Sequence, residues 1–235
     1  MIYDLGSKRE LFIDDFFIQS LEGNVHQKLH PLIHDEVIFK LNEPHEISNT
    51  SSSYNSIVYD GKRYLLYYRA HAMLSTPKDP KDNSRFILCV AETTDGKKFK
   101  RCQVNLSDEG YNVVLDNKMT DHLVKNGATN LIPGVATVFY DTNPACAENE
   151  RYKLIATNEK PGQHMMFLFV SADGFDFKFK YGPFELSPDS GYDSPNQAFF
   201  DHEIGKYRLY HRGFRSDGFT WKRTIMCHTT PFSIE

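Results

Sequence analysis

Long apolar runs are missing from this chain, and so is any surplus of basic residues. No stretch approaches the roughly twenty apolar residues of a membrane-spanning helix, so a membrane partner is not expected. The 27 Lys and Arg are outnumbered by 31 Asp and Glu, giving a formal charge of -4. No segment interleaves basic and aromatic residues, which argues against a nucleic-acid partner. Cysteine is scarce: Cys89, Cys102, Cys146 and Cys227 show no Cys-x-x-Cys spacing, which argues against a disulfide framework or a cysteine-built metal site. Cys89 and Cys227 hold like positions in repeated phrases and are expected to be buried strand residues. The one tryptophan, Trp221, is read as packing, with sugar stacking as the alternative. Met1-Ile-Tyr-Asp4 has neither the basic nor the apolar region of a leader peptide, so the expected location is cytoplasmic, or periplasmic or secreted if residues precede it.

What is present is aromatic and repetitive. Phe and Tyr dominate an aromatic share of 14%, a composition suited to strands. Asp193-Ser-Pro-Asn196 leads into an apolar strand at Ala198 to Phe200, a turn at Asp201 to Lys206 and an alternating strand from Tyr207 to Arg212, the pattern of a β-hairpin. Tyr54 to Arg69 repeats it, with Asn55, Asp60, Tyr64 and Arg69 standing where Asn196, Asp201, Tyr207 and Arg212 stand later. A looser copy runs from Val138 to Asp141 and, after an insertion, from Glu150 to Ala156. Ile87 to Phe99 and Phe167 to Phe177 then share a strand, a Ser or Thr two residues before Asp-Gly, and a returning aromatic; Ile225 to Phe232 begins the same phrase. The repeated unit is a four-stranded antiparallel sheet, which is the signature of a β-propeller.

The expected divisions follow. Residues 1–42 supply a closure strand at Glu10 to Gln19 and a lead-in, 43–115 the first blade, 116–186 the second and 187–235 part of a third. Asp14 and Asp15 in the closure strand are either catalytic or bonded to backbone amides. His26, His30 and His34 would share a face only in a helix, and Pro31 with an expected strand at Val37 to Phe39 speaks against a metal site there. Asp116 to Thr129 is expected to be a connection, holding Asp121 and His122.

Propeller geometry sorts these loops by end. The turns at Asp60-Gly61, Asp95-Gly96, Asp173-Gly174 and Asp201 lie at one end, where their acids shape turns. The other end receives Glu46 to Asn55, Arg69 to His71, Asp121 to Asn130, Asp193 to Asn196 and Arg212 to Arg215. Carboxylates, amides and arginines converging on a funnel suit a hydroxyl-rich ligand, a carbohydrate. Two facing carboxylates could act as acid and base on a glycosidic bond. Asp193 and Glu46 are the leading candidates and Asp121 the third, each with a structural alternative as a turn or solvated acid. Asn55, Arg69, His71, Asn130, Asn196 and Arg212 are the candidate substrate contacts. The asparagines also fit a repeated backbone bond, and the arginines an ion pair between blades.

Leu11-Phe-Ile-Asp-Asp-Phe-Phe-Ile18, Pro44-x-Glu46, Asp141-Thr-Asn-Pro-Ala-Cys146, Glu150-Arg-Tyr-Lys153, Val170-Ser-Ala-Asp-Gly-Phe-Asp-Phe177 and Asp193-Ser-Pro-Asn196 together resemble the bacterial five-bladed propeller proteins similar to glycoside hydrolase families 32 and 43. The resemblance implies an all-β, five-bladed fold, of which this chain carries roughly the first three blades as the N-terminal part of a longer protein or a truncated product. It also implies hydrolysis of plant or algal glycans, with Glu46 or a neighbour as nucleophile or base, Asp121 as transition-state stabiliser and Asp193 as general acid. Asn55 and Asn130 stand where those families carry acids beside the inner strands. Two other functions therefore stay open: a non-catalytic carbohydrate- or protein-binding propeller, and a glycoside phosphorylase in which Arg69, Arg212 and His71 hold phosphate. No cofactor is expected; an axial Ca²⁺ has no linear motif to reveal it.

Overall fold

The computed structural model describes residues 4, 6, 14–26, 28, 36–46, 54–71, 86–124, 131–158, 165–187, 190–216 and 218–230. It divides into two compact units, Met1–Val37 and Ile38–Glu235. In the first unit the expected strand from Glu10 to Gln19 is replaced, over its described part, by a turn. The Ile18 amide bonds the Asp15 carbonyl at 3.0 Å, and the Phe16 amide donates to the Asp14 carboxylate at 3.0 Å. Asp14 thus bonds a backbone amide, as its structural alternative required; residues 10–13, His30 and His34 lie outside the described residues.

The second unit is built from three antiparallel sheets taken in chain order. Strands β1 (Ser56–Tyr59), β2 (Tyr64–His71) and β3 (Phe86–Thr93) pair in sequence. Two short strands, β4 (Lys100–Arg101) and β5 (Val113–Leu115), share the outer edge of β3. A helix, α1 (Asn117–Val124), follows. The second sheet is β6 (Leu131–Tyr140), β7 (Tyr152–Asn158), β8 (Met166–Ser171) and β9 (Lys178–Phe184), paired in that order. In the third, β10 (Ser190–Gly191) and β11 (Gln197–Asp201) lie along one edge of β12 (Lys206–Ser216), and β13 (Trp221–Thr230) along the other.

Successive side chains of a strand point to opposite faces, and the middle sheet uses both. Val138, Leu154 and Phe169 pack against Val58, Leu65, Tyr67 and Val90 of the first sheet. Their neighbours Phe139, Ile155 and Leu168 pack against Ala198, Tyr207 and Leu209 of the third. Strands covered on both sides read as continuous apolar runs, which is why β6 and β8 show no alternation. On the first sheet, Phe39 and Leu41 cover Tyr68, Ile87 and Cys89. Val37 to Phe39 is not the strand expected from its composition.

The repeated turns are as expected. Thr93 and Ser171 donate hydroxyl hydrogen bonds of 2.8 Å to Asp95 and Asp173, whose carboxylates in turn accept amides of the turn that follows. Three other expectations are corrected. Asp116 caps α1 through a 2.9 Å bond from the Met119 amide, so the supposed connection is partly helical. Cys89 is buried but Cys227 is exposed, because its side of β13 is the outer face of the third sheet. Trp221 is 69% exposed and does not pack in a core. Among the described residues no helix is long and apolar enough to cross a membrane.

Candidate functional site

The ends of the inner strands opposite the Asp-Gly turns bring the first and third sheets' polar residues together. Asp193 stands on the approach to β11 with 58% of its side chain exposed, and its carboxylate accepts a hydrogen bond from the Arg212 guanidinium near the end of β12. Arg212 also lies 5.1 Å over the ring of Phe214. Ser194, Gln197, Tyr210, Arg212, Arg223 and Thr224 line a cavity of about 430 Å³ beside this pair. Burial, with the like charge of Arg223 adding to it, draws the Arg212 guanidinium below its ordinary value, and Tyr54 opposes the shift.

Tyr54 is a residue that the sequence did not single out. It precedes β1 in a left-handed conformation, φ 62°, which costs a non-glycine residue free energy and recurs at functional loops. The Arg69 guanidinium sits 4.9 Å from the Tyr54 ring and 4.4 Å from that of Phe86. Arg69 itself is only 8% exposed, lodged between the first two sheets where Gly134 leaves room for it. Trp221 begins the strand that follows Arg212 and stands exposed at the same end. An exposed indole there is available for stacking on a ring.

The other predicted residues fare differently. Glu46 is 1% exposed. Its carboxylate accepts the Asn42 and Glu43 amides at 3.0 Å each, both arms of Arg101 at 2.8 and 2.5 Å, and the Tyr68 hydroxyl. Tyr68 in turn accepts from the Asn112 amide, whose carbonyl oxygen faces His45 Nε2 at 2.8 Å, so this nitrogen carries the proton. Burial alone would push the Glu46 carboxyl up, but Arg101 and Tyr68 together hold it below the ordinary value. Glu46 is a buried lock between the lead-in and the first sheet, not an acid facing the funnel. Asn196 is fully buried, and its amide donates to the Tyr192 and Ser194 carbonyls at 3.1 and 2.9 Å. It organises the Asp193 loop, whereas Asn55 is exposed before β1, so the two asparagines are not equivalents. Asp121 lies on α1 and His71 ends β2, with both side chains outside the described residues, as is Asn130. No group of His, Cys, Asp and Glu among the described residues could hold a metal ion.

No family model matches the sequence, and no curated protein matches it significantly. Among solved structures the chain is similar to a glycosyl hydrolase from Bacteroides ovatus, at 13% identity and a TM-score of 0.43 over 75% of this chain and 49% of that one. It is similar to a GH130 structure from a study of mannoside phosphorylases and β-1,2-mannoside-directed hydrolases, at 15%, 0.42, 82% and 60%. It is also similar to the Bombyx mori GH32 β-fructofuranosidase BmSUC1, at 16%, 0.47, 77% and 35%. The chain spans between 35% and 60% of their lengths.

Proposed function

We propose that this chain forms part of a carbohydrate-processing propeller that hydrolyses a glycosidic bond at the funnel end of its sheets. The observation that carries the proposal is the exposed Asp193 carboxylate held by Arg212 beside a cavity, with Tyr54 and Trp221 at the same end. Hydroxyl-rich rings are bound by such a combination of hydrogen-bond acceptors, donors and exposed aromatic faces. Paired with a guanidinium, Asp193 acts as an acceptor, hence as base or nucleophile, and the proton donor is a different group. The test is turnover of a panel of plant and algal oligosaccharides by the wild-type chain and by Asp193→Asn. Loss of turnover with binding retained supports the assignment; unchanged turnover removes Asp193 from the chemistry.

The burial of Glu46 favours a second function, sugar binding without turnover, because it withdraws the expected partner carboxylate from the funnel. Binding with no turnover by the wild-type chain would select it. Arg223 beside Arg212 would serve a phosphorolytic variant, which release of a sugar phosphate only in the presence of inorganic phosphate would identify.

A further inference from the structure

Strands β12 and β13 run on past their sheet at the end where Asp193 stands. The inner edge of β12 is covered by β11 from Lys206 to Tyr210 and by β10 at Arg212 and Gly213. From Phe214 to Arg223, among the described residues, the two strands pair only with each other. Arg215 and Lys222 on one face and Arg223 on the other are all exposed, so this end of the hairpin meets solvent on both sides. Phe219, between the strands, is 96% exposed and Trp221 69%.

The charge of this projection runs against that of the chain. Residues 214–223 hold Arg215, Lys222 and Arg223 against one acid, Asp217, whereas acids outnumber bases in the whole sequence. Against the expectation for the chain as a whole, basic and aromatic residues alternate here. The register sets Arg215 directly opposite Lys222, and like charges so placed destabilise a strand pair. Arg223 adds to the positive charge by lining the same cavity as Arg212. Arg212 has Asp193 as its counter-charge, but no carboxylate among the described residues pairs with Arg215 or Arg223. Opposed cations kept at a cost in stability, beside two exposed rings, suit an anion that arrives on a ring-bearing ligand.

We propose that this hairpin receives an acidic glycan, a polysaccharide carrying carboxylate or sulfate groups, and guides one of its sugars into the cavity beside Asp193. The proposal rests on the carbohydrate reading of that cavity. Arg215, Lys222 and Arg223 meet the anionic groups through charge-assisted hydrogen bonds, and Phe219 and Trp221 lie against sugar rings between them. A nucleic acid carries a phosphate at every nucleotide and needs a matching basic track. Three cations in a chain of net charge -4 do not supply one. A glycan instead spaces its charges by ring faces, as the hairpin spaces its cations by aromatics.

Binding of the 235-residue chain to immobilised probes tests it. The probes are polygalacturonate for carboxylate, a sulfated galactan for sulfate ester, and neutral galactan and single-stranded DNA as contrasts. The wild-type chain is expected to hold an acidic glycan at least about tenfold more tightly than neutral galactan, with the difference shrinking as salt is raised. The tighter of the two acidic probes identifies the anionic group. Lys222→Glu is expected to lower that affinity at least about tenfold, the loss of a bond to a charged group. Its melting temperature should hold or rise, because an opposite-charge pair replaces the repulsion with Arg215. Asp193→Asn is expected to keep the binding and lose turnover of the bound glycan. Acidic-glycan binding without turnover by the wild type would support the proposal and count only against hydrolysis. Equal affinity for neutral and acidic galactans, tighter binding to DNA than to either acidic glycan, or Lys222→Glu binding like the wild type would each overturn the proposal.

Discussion

Gly134 lies so close to Arg69 that a methyl group on its Cα would stand 2.5 Å from the Arg69 Cδ and 2.5 Å from the Phe86 Cβ. The close approach lets a buried guanidinium fit between two sheets under the Tyr54 ring. Gly134→Ala should therefore overpack this boundary and cost about 1–3 kcal/mol, read as a lowered urea midpoint. It should also displace Arg69 from Tyr54 and weaken sugar binding. A variant as stable as the wild type would mean that β6 shifts freely there.

Tyr207→Phe removes the hydrogen bond to the buried Asp141 carboxylate and the one that the Tyr207 hydroxyl accepts from the Asn143 side-chain amide at 3.0 Å, so it should cost about 1.5–3 kcal/mol, the usual range for bonds to charged groups. Asp60, which accepts the Tyr152 hydroxyl, keeps 10% of its side chain exposed whereas Asp141 keeps none, so water can replace the lost hydroxyl and Tyr152→Phe should cost less. Denaturant unfolding of both variants checks the order; an equal or reversed loss would show that Lys153 alone satisfies Asp141.

Local rules made much of this legible. The three hairpins and the Ser/Thr-x-Asp-Gly turns depend on residues a few positions apart, and alternation marked the sheet faces. Sequence distance hid the rest. Glu46 is buried by Arg101, 55 positions away, so nothing near it announced the lock. Helix α1 carries only Met119, Leu123 and Val124 as apolar residues, too few for a clear helical stripe, although Asp116 at its cap was a usable signal. Tyr54 carries no local signal, because the repeated phrase matches Asn55 to Asn196 and gives the residue before it no like partner. Exposure of Trp221 and Cys227 depends on which face of the third sheet is covered, a property of neighbours and not of the strand.

Stability should fall in two stages as the pH is lowered. Burial, with His228 adding to it, lowers the His211 value below 6.5, and the bond to the Arg212 carbonyl only partly opposes this. The unfolded chain therefore binds that proton first, and stability is lost below about pH 6.5. Asp60 and Asp141 lie below the ordinary 3.8: burial pushes each upward, but hydrogen bonds, led by Tyr152 and by Lys153 respectively, outweigh it. Their contribution is present above the unfolded value and is lost as the pH falls through the folded ones. Urea midpoints at pH 7, 5 and 3 should decrease in that order; a midpoint constant between 5 and 3 would contradict the aspartate assignments.

Glu46 and Asp193 should separate cleanly under mutation, because one carboxylate is enclosed and the other faces solvent. Glu46→Gln keeps the shape but replaces an acceptor oxygen with a donor amide, which would face either Arg101 or the Asn42 and Glu43 amides. It also leaves a guanidinium whose side chain is only 16% exposed without its counter-charge. Breaking such a pair costs about 3 kcal/mol, at the low end because Arg101 keeps some water. Asp193→Asn, at a mostly exposed pair, should change stability by less than about 1 kcal/mol. The expected pattern is that Glu46→Gln lowers the melting temperature without altering turnover by the folded fraction, while Asp193→Asn abolishes turnover at an unchanged melting temperature. If Glu46→Gln instead abolished turnover in a chain of unchanged stability, the lock would have to open during catalysis, and Glu46 would return to the funnel as the partner of Asp193.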